Sequence, residues 1–573
     1  MQNLQREAHF NLVNEPWIPV AYIDGKLGAV SLEEALRDAG RIREIEGDQA
    51  QQVLPIIRLL LAVLYQSQPL SDGDDESALM KEWATIWKRG HFDLEAIHGY
   101  LDTFRDRFDI FDAHHPFYQV PGLEYAGRGP DGIGELVADV PKEEKFLFSM
   151  RNRNRLQSLS FAEAARCLVF QQSYATAGIK TPVKGYSGAK AGKAYAPKGA
   201  VGTGMLGAEG GIYLEGKSLF ETLMLNWVLF DDRRSGVPIV GCEEDVPPWE
   251  EDETTPDHRD PLPGEPYGPV QSYTWQSRRM RLVPNDEGTA VIGVVSCYGD
   301  IPRVIDACGS EPMTAWRESQ TQQKKLGLPY VPLMPQAHDP SRQAWRGLAS
   351  IVSFSGRDLR PGVVRWFERL CDEHVISQDA MPTVAIHTQG MEYGTQSSVF
   401  SDGIDDRFDL SVSLLDHDSN ECTRALEVIE KTDEAVSKLV NCVSNIQRAA
   451  GDKSSKAVAM SERTRVRELA YSELDSMCRA RLAGFPSGTD PVSKYCKAWK
   501  DDVHRKIRAA ASEYVESSDR SYFDEHDSMT VGRALAILSA ELNKVLGVIG
   551  PGPAEEGKGK VGPHEDAAES ERM

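Results

Sequence analysis

At 573 residues the chain exceeds what one hydrophobic core supports, so at least two domains are expected. The 41% hydrophobic and 26% charged composition is that of a soluble globular protein, and the longest apolar stretch, Val53 to Tyr65, is too short to span a bilayer and contains Arg58. The net charge of -23 argues, taken alone, against nucleic acid, because neutralising phosphates needs clustered Lys and Arg.

Met1 to Phe10 carries charges of both signs and no apolar run, so no secretory signal is expected and a cytoplasmic location follows. Trp17 to Tyr22 reads as a short strand, and Ser31-Leu32-Glu33-Glu34 is a capping box that opens a helix. Val53 to Tyr65 reads as a buried helix. Ser160-Phe161-Ala162-Glu163 is a second capping box. Cys167 to Ala208 then contains no acidic residue and five lysines, at 180, 184, 190, 193 and 198, which makes it an electropositive, glycine-rich loop. Glu243 to Glu265 is its opposite, with ten acidic residues, one Arg and five prolines, and reads as an exposed loop.

From about Asp405 the periodicity becomes helical over Glu421 to Ala450, Ala457 to Ala483, Asp490 to Ser517 and Met529 to Ile549, with short connections between. Leu426, Ile429, Val436, Leu439 and Val443 mark one buried face. The pattern predicts an α+β chain: a large mixed α/β domain over 1–404, a four-helix bundle over 405–550 and a disordered tail over 551–573. Nine cysteines are scattered with no C-x-x-C pair, which argues against a zinc ribbon and a disulfide framework.

Several segments have residue types suited to chemistry. In Ala177-Gly178-Ile179-Lys180-Thr181-Pro182 the glycine removes the Cβ that would hold a phosphodiester backbone away, and the peptide N–H groups are exposed; an incidental surface loop is the plainer reading. Phe148 to Arg155 alternates Arg151, Arg153 and Arg155 with amides, and arginine forks to phosphate or stacks on bases. Gly394-Thr395-Gln396-Ser397-Ser398, after Tyr393, is a short polar turn; its residues alone indicate an ordinary β-turn, although a flat amide there suits insertion between base pairs.

Gly211 to Ser218 matches the Walker A pattern letter for letter, which raises an NTPase using Lys217. Its four central residues, Ile212 to Glu215, themselves read as a strand, the wrong order for a phosphate loop, so a strand, a turn and a helix are expected. The neighbours His338-Asp339, His417-Asp418 and His526-Asp527 raise a metal-dependent phosphohydrolase, but such a site needs further spaced ligands. A purely architectural subunit is the third reading.

Asn14-Glu15-Pro16-Trp17-Ile18-Pro19, His115-Pro116-Phe117-Tyr118-Gln119, the Ala177 to Lys180 loop after a helix, and Tyr393 to Ser398 before a helical region resemble, in that order, the CasA family, the large subunit of the type I-E CRISPR surveillance complex Cascade. Leu159-Ser160-Phe161-Ala162-Glu163-Ala164-Ala165-Arg166, leading into the Ala177 to Lys180 loop, resembles the actinobacterial branch. The resemblance implies a non-catalytic subunit that reads the protospacer-adjacent motif in double-stranded DNA from the minor groove and starts strand separation for R-loop formation. It also implies docking on guide-RNA-bearing subunits and recruitment of a helicase-nuclease. Carried onto this chain, the glycine loop falls at Gly178, Ile179, Lys180 and Thr181 with Lys184 following, the wedge amide at Gln396 beside Thr395, and the aromatic-led contact loop at Phe148 to Arg155. The basic finger falls at Arg317, with Lys324 and Lys325 as alternatives. Some members run several glycines together where this chain has Ile179-Lys180-Thr181, and some carry a cysteine cluster that this chain lacks, so no metal or other cofactor is expected.

Overall fold

Alternating burial after Trp17 produces β1 (Ile18–Tyr22), which pairs antiparallel with β2 (Leu27–Val30) and with β3 (Ile42–Ile45). The computed structural model describes residues 8–71, 75–138, 140, 156–196, 202–231, 237–240, 242–252, 254–259, 264–353, 357–416, 419–449, 456–517 and 529–547. Ser31 accepts from the Glu34 N–H at 3.2 Å while the Glu34 carboxylate accepts from the Ser31 N–H at 3.0 Å, so the expected capping box opens α1 (Leu32–Arg37). The apolar stretch becomes α2 (Val53–Ser67), buried along most of its length. Its buried Arg58 donates to Glu311 at 2.7 Å and to the Ser272 carbonyl at 2.9 Å, which offsets the cost of taking a guanidinium out of water. Helices α3 (Glu76–Arg89) and α4 (Leu94–Thr103) follow, each opened by an aspartate cap.

Strand β4 (Asp131–Gly132) is the edge of a sheet completed by β10 (Arg278–Pro284) and β11 (Val291–Tyr298), in the order β10-β11-β4. Helix α5 (Phe161–Tyr174) leads into a hairpin of β5 (Ala189–Lys190) and β6 (Lys193–Ala194). Strand β7 (Gly211–Glu215) pairs with the long β14 (Thr383–Tyr393), whose other edge carries β15 (Phe400–Ser411). Between them come α6 (Leu219–Asn226), the pair β8 (Phe230–Asp231) and β9 (Val237–Pro238), α7 (Pro269–Tyr273), the pair β12 (Trp316–Glu318) and β13 (Leu333–Pro335) with α8 (Gln320–Leu326) in its connection, α9 (Leu348–Val352) and α10 (Gly362–Asp372). No described helix is long and apolar enough to cross a membrane.

Two compact units emerge: Met1–Leu426 with Cys478–Thr489, and Glu427–Met477 with Asp490–Met573. The boundary expected at 405 falls inside β15, which stays in register with β14 as far as Ser411 opposite Thr383. The later helices are α11 (Asn420–Ala449), α12 (Lys456–Ala483), α13 (Thr489–Glu516) and α14 (Val531–Leu546). On α11, Ile429, Val436, Leu439 and Val443 are buried as the periodicity predicts, and Leu426 is half-buried. Within the second unit Tyr471 donates to Asp433 at 2.8 Å and Lys500 to Glu427 at 2.7 Å.

The acidic segment after Glu243 departs from its expected exposure. Asp245 is buried and accepts from the N–H groups of Val270 and Gln271 at the start of α7, and Trp249 packs at 5.0 Å from the Phe108 ring. Burial pushes the Asp245 carboxyl up to about 6, while the hydrogen bonds from Gln271 and Val270 oppose the shift.

Candidate nucleic-acid interface

The candidate interface starts where α5 stops. Ser160 caps its first turn, and at Ala175 the backbone turns extended and enters residues 176–181. Three carbonyls near this exit are gathered by one buried cation: Arg278 Nη2 donates to Gly202 O at 2.7 Å, Thr176 O at 3.1 Å and Ala175 O at 3.3 Å. Its guanidinium stands 5.0 Å from the Tyr298 ring centroid, and burial lowers its pKa, with Tyr298 acting against the shift. The Tyr298 hydroxyl in turn donates to Gly178 O at 2.6 Å. Gly178 sits at φ +108°, where L side chains are strained, and a Cβ there would lie 3.4 Å from that of Ser398. Lys180 and Ala194 exchange both backbone hydrogen bonds at 2.9 Å, which ties the loop to β6.

The polar turn arrives from the far end of β14. Tyr393 anchors it by donating to Tyr174 O at 2.7 Å, the last turn of α5, and its ring lies 5.7 Å from that of Phe400. Gly394 N–H donates to Val399 O at 3.0 Å and Ser397 N–H to Gly394 O at 2.9 Å, which closes a tight turn. Gln396 and Ser397 are both left-handed, at φ 57° and 51°, an uncommon pair of non-glycine residues that leaves Thr395 and the Gln396 amide exposed at the tip.

These two segments meet. Ala177 N–H donates to Ser397 O at 2.8 Å, and beside this bond opens a cleft of about 270 Å³ lined by Gly178 to Thr181 on one side and Ser398 to Phe400 on the other. Arg128, which the sequence reading did not single out, lines it as well: its guanidinium lies 4.0 Å over the Tyr125 ring, is paired with Asp131, and donates to Thr181 Oγ1 at 3.0 Å. The only local sign of it was Tyr125, Arg128 and Asp131 recurring at steps of three. The other described candidates do not line the cleft. Lys184 is exposed and paired with Glu124, and Arg317 is an exposed residue of β12 that does not line the cleft. Lys324 and Lys325 occupy the last turn of α8. Phe148, Arg151, Arg153 and Arg155 lie outside the described residues.

The family model described as CRISPR-associated protein Cse1 matches residues 11–511. The chain belongs to the Cse1 family. Thermobifida fusca Cse1 shares its structure with a TM-score of 0.84 at 34% identity, over 94% of this chain and 98% of that one. The CasA/Cse1 of Thermus thermophilus is 30% identical over 316 residues; the match spans 54% of this chain and 55% of that relative, about half the length of each. A chain of a structure described as a CRISPR RNA-guided surveillance complex has the same fold, with a TM-score of 0.69 at 16% identity over 94% of this chain and 100% of that one.

Within this Cse1-family chain the enzyme-like strings among the described residues have structural roles. Ile212 to Glu215 are β7, paired along β14, and the Ile212 and Leu214 N–H groups donate to Met313 O at 2.7 Å and Asn226 Oδ1 at 2.9 Å, so these peptide groups cannot converge on a phosphate. Glu215 accepts from Arg43 and from Arg407 Nε at 2.9 Å and lies 3.4 Å from His387 Nδ1; burial opposes ionisation, but His387, Arg407 and Arg43 hold its pKa down at about 2. Ser218 caps α6 by accepting from the Glu221 N–H, and the Lys217 N–H donates to the Glu221 carboxylate at 2.7 Å. His338 is half-buried with Nε2 2.9 Å from Gly211 O, whereas Asp339 accepts from Ser341. His417-Asp418 and His526-Asp527 lie outside the described residues, and among the described residues no three His, Cys, Asp or Glu side chains are grouped as a metal would require.

Proposed function

We propose that this chain is the non-catalytic large subunit of a type I-E RNA-guided surveillance complex, working in the cytoplasm. In this reading it recognises a short motif in double-stranded DNA and starts duplex opening for R-loop formation. The hydrogen bond between Ala177 and Ser397 carries the reading, because it joins the glycine loop to the exposed Gln396 turn across one cleft. Gly178 admits a backbone closely, Lys180 and Thr181 adjoin it, and Thr395 with Gln396 stands where the first base pair beside the motif would part. Minor-groove reading separates mainly A·T from G·C and so tolerates related motifs, while guide pairing supplies sequence specificity.

The family assignment and the fold shared with a surveillance-complex chain support guide-RNA-bearing subunits as partners, and a helicase-nuclease recruited after opening would perform cleavage. Arg317 and Lys184, which do not line the cleft, remain proposed DNA contacts, as do Phe148, Arg151, Arg153 and Arg155 outside the described residues. The helices α11 to α14 are proposed to form a four-helix bundle that meets neighbouring subunits, with residues 551–573 as a tail.

The test compares binding of the reconstituted guide-RNA complex, with and without this chain, to duplexes that differ only in the two or three base pairs beside the target, at fixed salt. Motif preference that depends on the chain and falls with Lys180→Ala is expected, and Gln396→Ala should weaken binding to a paired duplex more than to a pre-opened bubble. Motif-blind binding, unchanged without the chain, overturns the proposal in favour of an architectural subunit.

A further inference from the structure

Two large apolar side chains stand in water beside the cleft. Ile179 is 59% exposed and Tyr195 43% exposed. Ala194 is fully buried, and Ala196 packs against the same core around Tyr298 and Val295. In extended chain successive side chains point to opposite sides, so Tyr195 between them points outward. The isolated bridge that joins Lys180 to Ala194 is antiparallel with both hydrogen bonds made, and its register sets the residues flanking the pair opposite one another. Ile179 precedes Lys180 and Tyr195 follows Ala194. The register thereby sets a branched aliphatic residue opposite an aromatic one, one residue from the close approach at Gly178.

We infer that Ile179 and Tyr195 form a platform on which one unpaired nucleobase stacks as it leaves the duplex at the Gln396 turn. The inference rests on the reading of this cleft as the site of duplex opening. Stacking on an aromatic face accepts any base, which suits a subunit whose target sequence is read by a guide. An aliphatic side chain at the parting step hinders the base from returning to its stack, as apolar wedges do in other minor-groove proteins. The charge around the pair favours this occupant: Lys190 and Lys193 are exposed on the same hairpin, and no acidic residue occurs from Cys167 to Ala208.

An abasic scan in the reconstituted complex tests it. Preferred duplexes carry a single abasic nucleotide at each of the first three positions beside the motif, on either strand, and are bound by complexes holding the unaltered chain, Tyr195→Ala, Tyr195→Phe, Ile179→Ala or Gln396→Ala. One abasic position is expected to weaken binding by the unaltered chain about 5- to 150-fold. Tyr195→Ala should cause a similar loss on the intact duplex and no further loss at that position, Ile179→Ala a smaller loss, and Tyr195→Phe should restore binding. Losses that multiply at every position, or Tyr195→Phe behaving as the alanine variant, overturn the platform. If Gln396→Ala still weakens paired duplexes selectively in that outcome, the reading of the cleft stands without it; if no variant changes binding, both fall together.

Discussion

Two stretches of this chain combine glycine and lysine within forty residues of each other, and the structure uses them in opposite ways. At Gly178 to Lys184 the backbone is left-handed at the glycine, Ile179 is exposed, and the loop is held by hydrogen bonds from Arg278, Tyr298 and Ser397's partner Ala177 that keep its outer edge open. At Gly211 to Ser218 the same residue types are taken up by a buried strand and a helix cap, with the strand paired along β14, the Ile212 N–H given to Met313 O and the Leu214 N–H to the Asn226 side chain. A motif is therefore read correctly only when the destination of its backbone hydrogen bonds is known.

The largest effect should come from removing what holds the open loop. Arg278→Met removes the guanidinium from the Thr176 and Gly202 carbonyls and from Ala175 O, which keeps only the Gly204 N–H, and is expected to cost about 3 kcal/mol in urea denaturation, together with motif preference. The two glycines should then separate. Gly216→Ala places a Cβ 2.2 Å from that of Glu221 and 2.9 Å from its carbonyl carbon, which costs roughly 1–3 kcal/mol of stability while the folded protein binds duplex normally. Gly178→Ala forces φ +108° on an L residue at a similar cost of roughly 1–3 kcal/mol, but it should abolish motif preference; equal binding by both variants would break the contrast.

Next is a pH effect confined to the buried side. Burial works against the His387 charge, yet hydrogen bonds to Asp405 and Glu215 lift its pKa from 6.5 to about 9. The stability it contributes is complete below about 6.5 and is lost as pH rises through about 9. Unfolding midpoints of the unaltered chain should fall across that window and those of His387→Gln should be flatter, and a slope shared by both variants would assign the titration to another group. The smallest effect is at the lysines: Lys180→Ala should reduce the salt dependence of duplex binding by about one phosphate contact, whereas Lys217→Ala should leave binding unchanged and stability within about 0.5 kcal/mol.

What the sequence reveals here follows how local the cause is. The Ser31 box and the helices beginning near 420, 456, 489 and 531 were legible because capping and periodicity are set by residues a few positions apart. Strand β15 was hidden by the polar run from Ser401 to Asp406, since the pairing that makes it a strand is supplied by β14. The meeting of Ala177 with Ser397 has no local signature; the two segments were linked only through resemblance to a family. Arg278 and Arg128 escaped notice for a related reason, because a charge in sequence carries no mark of whether carbonyls, a tyrosine ring or solvent will surround it.

Strand β14 has a mechanical consequence for the turn it carries. Its eleven residues make a strut of roughly 35 Å, held on both edges from Ala385 to Gln389 and by β15 alone from Gly390 to Tyr393. A turn that pushes bases apart is pushed back with equal force. Mounted at the end of this strut, it passes that load along the strand, where the hydrogen bonds to β7 and β15 lie across the pull and share it in shear instead of opening one after another. The proposed wedge is thus the tip of a cantilever rooted in a sheet, stiff along its length, and its Tyr393 hydroxyl on Tyr174 braces the free end sideways against α5.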